Sequence, residues 1–316
     1  MRASIIIPTY NRPNTLKLCL EALSRQTANL NDFEVIVVKD GREIELVFSD
    51  LTTDCDPGLQ VRFFEIDHAG PGVARNAGID HAAGEIICFT DDDCVPERTW
   101  VQEWLKYFVE HPDKVAAGGL VNSVSPTTMV ERYIALKGLL ARPVVDPTSA
   151  ILNLVTANAA GRKVALQAIG GFDSDYLVNG KMVGAEDLDL THRLRERFGN
   201  TALGTHEPAQ VAHHHRQTLS ALVRQHVAYG MGAGIFLKKF NLPPSHLSIK
   251  QPTILGLGQY AIYLLDRIAK KGFPEFKRKH LPIYLYPLYG GLDFVRKFAY
   301  MWGFYKLSLT TPHGKR

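Results

Sequence analysis

Three carboxylates in a row, Asp91-Asp92-Asp93, stand just beyond the apolar run Ile86-Ile87-Cys88-Phe89. Adjacent carboxylates repel one another. A hard divalent cation offsets that repulsion and bridges one or two of them to phosphate oxygens. An isolated Asp triplet reads as a solvated acidic turn; at the end of an apolar strand it becomes a candidate cation and phosphate centre. A second acidic group, Glu186-Asp187, opens a helical pattern, with Asp187 94 residues after Asp93. The helix dipole favours acids there for structural reasons alone, and the same carboxylates can act as a general base toward a hydroxyl. The third group is His213-His214-His215, after Val211-Ala212. Imidazole suits Mn²⁺ and suits Mg²⁺ less. Alternation along a strand puts Val211, His213 and His215 on one face, so the three histidines cannot all serve one site.

Weaker signals accompany these. Pro8-Thr9-Tyr10-Asn11-Arg12 follows the first apolar run, where Tyr10 can stack on a base, Arg12 can meet phosphate and Asn11 can cap a helix. Asp40-Gly41 ends the run Val35–Val38, and a carboxylate there can accept the imide N–H of a pyrimidine, although Asp before Gly is also a plain turn signal. Gly70-Pro71-Gly72 opens a helix carrying Arg75 one turn in, a setting suited to anions and equally to simple capping.

Positioning these groups requires a sheet. Apolar runs at Ile5–Ile7, Val35–Val38, Val61–Ile66, Ile86–Phe89 and Val115–Ala117 alternate with helical patterns at Thr15–Gln26, Pro71–Ala82 and Arg98–Glu110. Such alternation predicts an α/β fold with a mostly parallel sheet covered on both faces, which binds ligands at the carboxyl ends of its strands. Beyond residue 120 the spacing predicts helices over Thr127–Leu140, Lys163–Ile169, Glu186–Phe198, Gln217–Phe240, Ile254–Lys270 and Leu292–Leu307, and a strand over Leu152–Thr156.

The net charge of +4 hides an asymmetry. From Gln217 onward 15 basic residues face three acids, Asp266, Glu275 and Asp293, whereas positions 1–216 hold 21 bases and 29 acids. The two parts are therefore expected to meet different partners. Cys19, Cys55, Cys88 and Cys94 show neither metal-ligand spacing nor disulfide density, which fits a reducing cytoplasm. The chain opens directly on a strand pattern, Ala3-Ser4-Ile5-Ile6-Ile7, rather than on a signal peptide, and no stretch reaches the roughly 18–20 apolar residues of a membrane span.

Taken in order, Ile-Ile-Ile-Pro8-Thr-Tyr-Asn11-Arg, Val-Val-Lys-Asp40-Gly, Arg75-Asn-Ala-Gly78, Phe89-Thr-Asp91-Asp-Asp93, Gly170-Gly-Phe-Asp173, Glu186-Asp187 and a downstream histidine closely resemble the family 2 glycosyltransferases of the GT-A fold over residues 3–230. The resemblance implies a GT-A, Rossmann-like catalytic domain at 1–230 and a helical, basic-aromatic segment at 231–316. It implies transfer of a sugar from a nucleotide diphosphate donor to a hydroxyl acceptor, a saccharide or lipid-linked glycan, with inversion. Pro8, Tyr10, Arg12 and Asp40 would line the donor site, with Arg75 and Asp91 at the nucleoside or phosphates and Asp92 near the ribose. Asp93 would hold Mn²⁺ or Mg²⁺ with His213, and His215 is the second choice. Asp187 would be the base, and Glu186 would orient hydroxyls. Relatives carry a second acid and a serine near the second strand, where this chain has Lys39 and Arg42, so UDP, dTDP and GDP all stay open, UDP first.

In the rear segment Tyr284, Tyr286, Tyr289, Phe294, Phe298, Tyr300, Trp302, Phe304 and Tyr305 interleave with Arg296, Lys297 and Lys306. That mixture suits the headgroup region of an anionic membrane, which predicts a cytoplasmic protein held at the inner face of the membrane, and equally a helical layer on the catalytic part. No nucleic-acid motif is present, so nucleic acid is not an expected partner. A sugar-nucleotide nucleotidyltransferase would carry a Gly-rich, basic loop after its first strand, where this chain has Pro8–Arg12. A catalytically inert nucleotide-sugar-binding relative would not need every acid, base and metal position filled.

Overall fold

A computed structural model describes residues 2–41, 48–145, 150–178, 181–247 and 283–310, with residues 261, 262 and 265. The main sheet holds eight strands: β1 (Ala3–Thr9), β2 (Phe33–Asp40), β3 (Val61–Ile66), β4 (Ile86–Thr90), β5 (Cys94–Pro96), β6 (Ala116–Ser123), β7 (Asn158–Arg162) and β8 (Leu203–His213). Among the described residues the α-helices of six residues or more are α1 (Pro13–Ser24), α2 (Pro71–His81), α3 (Trp100–Glu110), α4 (Met129–Lys137), α5 (Lys163–Ala168), α6 (Glu186–Phe198), α7 (Leu219–Lys239) and α8 (Tyr286–Thr310). The strand order is β3-β2-β1-β4-β7-β6-β8-β5. Strands β1 to β4 pair in parallel, as do β6 and β8, while β7 runs antiparallel to both neighbours and β5 antiparallel to β8.

The alternation of the apolar runs explains both cores. On one face Ile5, Ile7, Val35, Val37 and Cys88 meet Leu16, Cys19, Leu20 and Leu23 of α1 and Trp100, Trp104 and Phe108 of α3. On the other, Ile6, Ile36, Val38, Ile87 and Phe89 meet Ala74 and Ile79 of α2 and Leu190 and Leu194 of α6. Each large side chain so buried contributes about 2–3 kcal/mol. Gly78 lets α2 lie on β1: a Cβ there would stand 2.5 Å from Ile6 Cγ2, so Gly78→Val would push the helix off the sheet.

Strand β7, Asn-Ala-Ala-Gly-Arg, was not visible as an apolar run, because it is small-residue backbone wedged between β4 and β6. Its first residue repairs an irregularity. The register of β6 on β8 shifts between Thr205 and Gln210, and Asn158, fully buried, donates to the carbonyls of Leu120 (2.7 Å) and Ala209 (2.9 Å) while accepting from Trp100 Nε1 (2.8 Å). The expected strand over Leu152–Thr156 is Ile151–Asn153, paired with Val144–Val145 outside the main sheet. The expected helix Gln217–Phe240 is α7, and the expected helix over Leu292–Leu307 is the longer α8. Most of the expected helix over 254–270 lies outside the described residues, as do Arg42 and the lysine clusters at 270–271 and 277–279.

The chain divides into two compact units: residues 1–125, 138–175 and 186–215, and residues 126–137, 176–185 and 216–316. The sequence-expected boundary at residue 230 falls inside α7, which belongs wholly to the second unit. Within that unit α7 and α8 touch backbone to backbone. A Cβ on Gly230 would stand 1.9 Å from Tyr300 O, and one on Gly303 2.0 Å from Val227 O. Asp293 on α8 accepts from Tyr133 Oη (2.9 Å), Arg296 (3.1 Å) and Lys297 (2.7 Å). Among the described residues no helix is long and apolar enough to cross a membrane.

Candidate active site

The carboxyl ends of β1, β2, β4 and β8 deliver Thr9, Asp40, the triplet after Thr90, and His213. Asn11 takes a positive φ of 56°, which turns the chain between β1 and α1 and leaves Arg12, not Asn11, as the N-cap residue of α1. Arg12 thereby reaches back to the triplet, with Nη1 3.0 Å from Asp92 Oδ1 and 2.6 Å from Asp93 Oδ2. Thr9 Oγ1 donates to Asp92 Oδ2 (2.8 Å). Asp92 is 4% exposed, and burial, opposed by Arg12 and reinforced by Asp93, pushes its carboxyl up to about 6.

Asp91 points elsewhere. Arg75, buried on α2, donates to Asp91 Oδ1 (2.8 Å) and to Glu186 Oε1 (3.2 Å), and its guanidinium lies 5.5 Å from the Phe172 ring centre. One side chain thus ties the acidic turn after β4 to the acidic start of α6. The Gly170-Gly171-Phe172 turn sets that ring: Gly171 has φ +67°, and Asn76 bonds both the N–H (2.7 Å) and the carbonyl (2.7 Å) of Phe172. Asp187, half-buried beside Glu186, is held well above the usual carboxylate range by desolvation first and by the charge of Glu186, with Arg75 opposing. A carboxylate so raised binds a proton readily at neutral pH, as a general base must.

Asp93 also faces β8. Its Oδ1 lies 3.3 Å from His213 Nε2. Two neighbouring ligands of an octahedral cation, each about 2.1 Å from it, stand about 3 Å apart, so this carboxylate–imidazole pair fits a Mn²⁺ or Mg²⁺ ion. Cys94 joins the group, since ligand atoms of Asp93, Cys94 and His213 lie within 4.8 Å of one another. Spacing along the chain had shown no cysteine with metal-ligand neighbours; the antiparallel pairing of β5 with β8 sets Cys94 opposite His213 across the sheet. His215 is buried next to His213, with Nδ1 of each 3.0 Å apart, and its Nε2 lies 2.7 Å from Ser123 Oγ.

At the β2 end Asp40 is buried and accepts from the backbone N–H groups of Ala69 (2.7 Å) and Gly70 (3.0 Å), with His68 Nδ1 3.1 Å away. His68 stacks on Tyr10, ring centres 4.6 Å apart. Tyr10 is 41% exposed and offers a flat surface, whereas Pro8 lies buried within β1. Lys39 turns to Glu65 (2.8 Å) rather than into the site. Thr9, His68, Ser123 and Cys94 carry no sequence signal of their own; only their positions beside Asp92, Tyr10, His215 and His213 mark them.

A mixed α/β sheet whose strand ends gather acidic side chains, with a further acidic pair at a helix start, has the architecture of the GT-A fold. Residues 4–170 match the sequence model described as Glycosyl transferase family 2, and the chain belongs to that family. It is 29% identical over 238 residues to the pre-mycofactocin glycosyltransferase of Mycobacterium tuberculosis, covering 73% of this chain and 46% of that protein, so it spans about half that relative's length. Glycosyltransferase AglE of Haloferax volcanii is 28% identical over 215 residues, 64% of this chain and 66% of AglE. In fold the chain is similar to the mannosyltransferase PcManGT of Pyrobaculum calidifontis, solved with GDP-Man and Mn²⁺ (TM-score 0.64, 19% identity, 96% of this chain and 87% of that one). It is also similar to S. aureus TarS 1–349 solved with UDP-GlcNAc (TM-score 0.54, 18% identity, 99% and 93%).

Proposed function

We propose that the protein transfers a sugar from a nucleotide diphosphate donor, UDP foremost and dTDP or GDP next, to a hydroxyl of a saccharide or lipid-linked glycan, with inversion. The observation that carries this reading is the bridge from Asp91 through Arg75 to Glu186, which joins the cation-competent turn to the proton-accepting helix start. The donors bound by PcManGT and TarS, and the Mn²⁺ of the former, support it.

In this reading Asp93 and His213 hold a Mn²⁺ or Mg²⁺ ion, which when bound supplies Lewis-acid stabilisation of the departing nucleotide diphosphate. Tyr10 and Asp40 shape the base pocket beside Pro8, and Arg12 exchanges its carboxylates for phosphate oxygens when the donor enters. Asp92 faces the ribose. Asp187 removes the proton of the acceptor hydroxyl onto its carboxylate, and Arg75 fixes Glu186 to orient the sugar or acceptor. The catalytic part is the front of the chain, and the helical rear is an appendage. Exposed Tyr284, Leu288 and Trp302, with exposed Lys306 nearby, support peripheral contact of that rear with an anionic membrane inside the cell. Failure to sediment with phosphatidylserine vesicles would remove this contact.

Transfer is tested by incubating nucleotide sugars with Mn²⁺ and a saccharide acceptor. Asp187→Asn is expected to keep donor affinity and to lower turnover by about 100-fold or more. Loss of donor binding in that variant would exclude the base role, and release of pyrophosphate from a nucleoside triphosphate would exclude the reading as a whole.

A further inference from the structure

We propose that His215 and Ser123 are positioning residues for the cation site, forming a hydrogen-bonded chain that sets which nitrogen of His213 carries its proton. This rests on the reading of Asp93 and His213 as ligands, and it gives His215 a task other than ligation. The atoms run in sequence: Asp93 Oδ1 to His213 Nε2 at 3.3 Å, His213 Nδ1 to His215 Nδ1 at 3.0 Å, and His215 Nε2 to Ser123 Oγ at 2.7 Å. Both imidazoles are below one-tenth exposed, His213 at 6% and His215 at 9%.

Strand pairing builds this line. Ser123 is the register partner of His213 in the parallel β6–β8 ladder, and His215 follows two residues on. The backbone clamps that turn from two sides, since Val124 N donates to His213 O (3.1 Å) and His214 N donates to Asp93 O (2.8 Å). These bonds fix the main chain from which the Asp93, His213 and His215 side chains project.

Two directions of donation satisfy the His213–His215–Ser123 part of the line, and they differ in what His213 Nε2 turns toward Asp93. In the first, Ser123 Oγ–H donates to His215 Nε2, His215 Nδ1–H to His213 Nδ1, and His213 Nε2–H faces Asp93. In the second, His213 Nδ1–H donates to His215 Nδ1 and His215 Nε2–H to Ser123 Oγ, so His213 Nε2 presents a bare lone pair beside Asp93. Each histidine is neutral with one proton in both, so the switch needs no net gain or loss of charge. Only the second direction suits a cation. A ligating imidazole whose far N–H is bound has a fixed tautomer and ring orientation, and loss of such a partner typically costs 10–100-fold in metal affinity. Ser123 contributes by accepting the His215 Nε2–H, which keeps that proton off His215 Nδ1, the atom that accepts from His213.

The experiment titrates the full chain with Mn²⁺, alone and with UDP, and reads bound Mn²⁺ by electron paramagnetic resonance. His215→Ala should weaken Mn²⁺ by about 10–100-fold and Ser123→Ala by a smaller factor. His215→Gln, whose amide offers an acceptor and a donor, should recover much of the loss. Histidine-selective ¹⁵N NMR with diamagnetic Mg²⁺ should show His213 as the Nδ1–H tautomer in the wild type. Wild-type Mn²⁺ affinity in both His215→Ala and Ser123→Ala, or an Nε2–H tautomer of His213 with Mg²⁺ bound, would overturn the proposal. Equal losses in His215→Ala and His215→Gln would assign His215 a packing role and also overturn it. If Asp93→Ala binds Mn²⁺ like the wild type, the ligand reading itself fails, an outcome distinct from failure of the chain. Should His215→Ala not fold, Ser123→Ala, which removes one hydroxyl, decides.

Discussion

Two of the buried clusters of charge differ in their balance. Around Asp293 a single carboxylate faces Arg296, Lys297 and the Tyr133 hydroxyl, and hydrogen bonds outweigh burial, so its pKa falls below the usual value. At the strand ends five carboxylates, Asp91, Asp92, Asp93, Glu186 and Asp187, meet two guanidinium groups, Arg12 and Arg75. There Asp92 rises to about 6 and Asp187 rises with it. A carboxylate outnumbered by cations stays ionised and holds helices together. A cluster left with excess negative charge is poised for a cation, a phosphate-bearing ligand or a proton, which is why perturbed carboxylates gather at functional sites.

That contrast can be broken at either end. Asp93→Ala should show the largest effect, lowering Mn²⁺-dependent transfer at least about 100-fold while leaving the melting temperature equal or higher, because it relieves repulsion. A fall in stability with activity intact would reverse the roles assigned to the two clusters. Asp293→Ala should do the opposite, costing about 1–3 kcal/mol in denaturant unfolding by removing the buried acceptor of the part-buried Arg296 and Lys297 and of Tyr133, with nucleotide affinity retained. If it left stability unchanged, the Asp293 cluster would not be structural.

The folded pKa of Asp187 lies above its unfolded value, so the folded chain holds the proton more tightly and stability declines as pH rises through the folded pKa. Asp187→Asn should therefore raise the melting temperature by a few degrees at pH 8 and by nothing below about pH 4, where both states are protonated. A gain independent of pH would contradict burial of the charge as its cause. The smallest effect is expected of Thr9→Val, which removes the hydroxyl bonded to Asp92 and should cost about 1–2 kcal/mol by calorimetry.

Much of this was legible beforehand. The runs at Ile5–Ile7, Val35–Val38 and Ile86–Phe89 became β1, β2 and β4, and the acids after them lie at the strand ends. What escaped were features without a periodic or compositional mark. Strand β7 is too small and polar to read as a strand, and its reversal depends on the neighbours it enters. Asn158 looks like any loop asparagine until the β6–β8 irregularity exposes the carbonyls it serves. Tyr133 and Asp293 stand 160 residues apart, and no local pattern predicts that they bond.

By itself the sequence determined the strands and helices, the family, and which residue types reach the carboxyl ends of the sheet, because side-chain period and turn chemistry act over a few neighbouring residues. The tertiary structure alone decided that Arg12 lies on Asp92 and Asp93, that Arg75 joins Asp91 to Glu186, and that the imidazoles of His213 and His215 meet through their Nδ1 atoms. A carboxylate's proton affinity depends on burial and on charges within about 4–6 Å, and those neighbours are chosen by the fold.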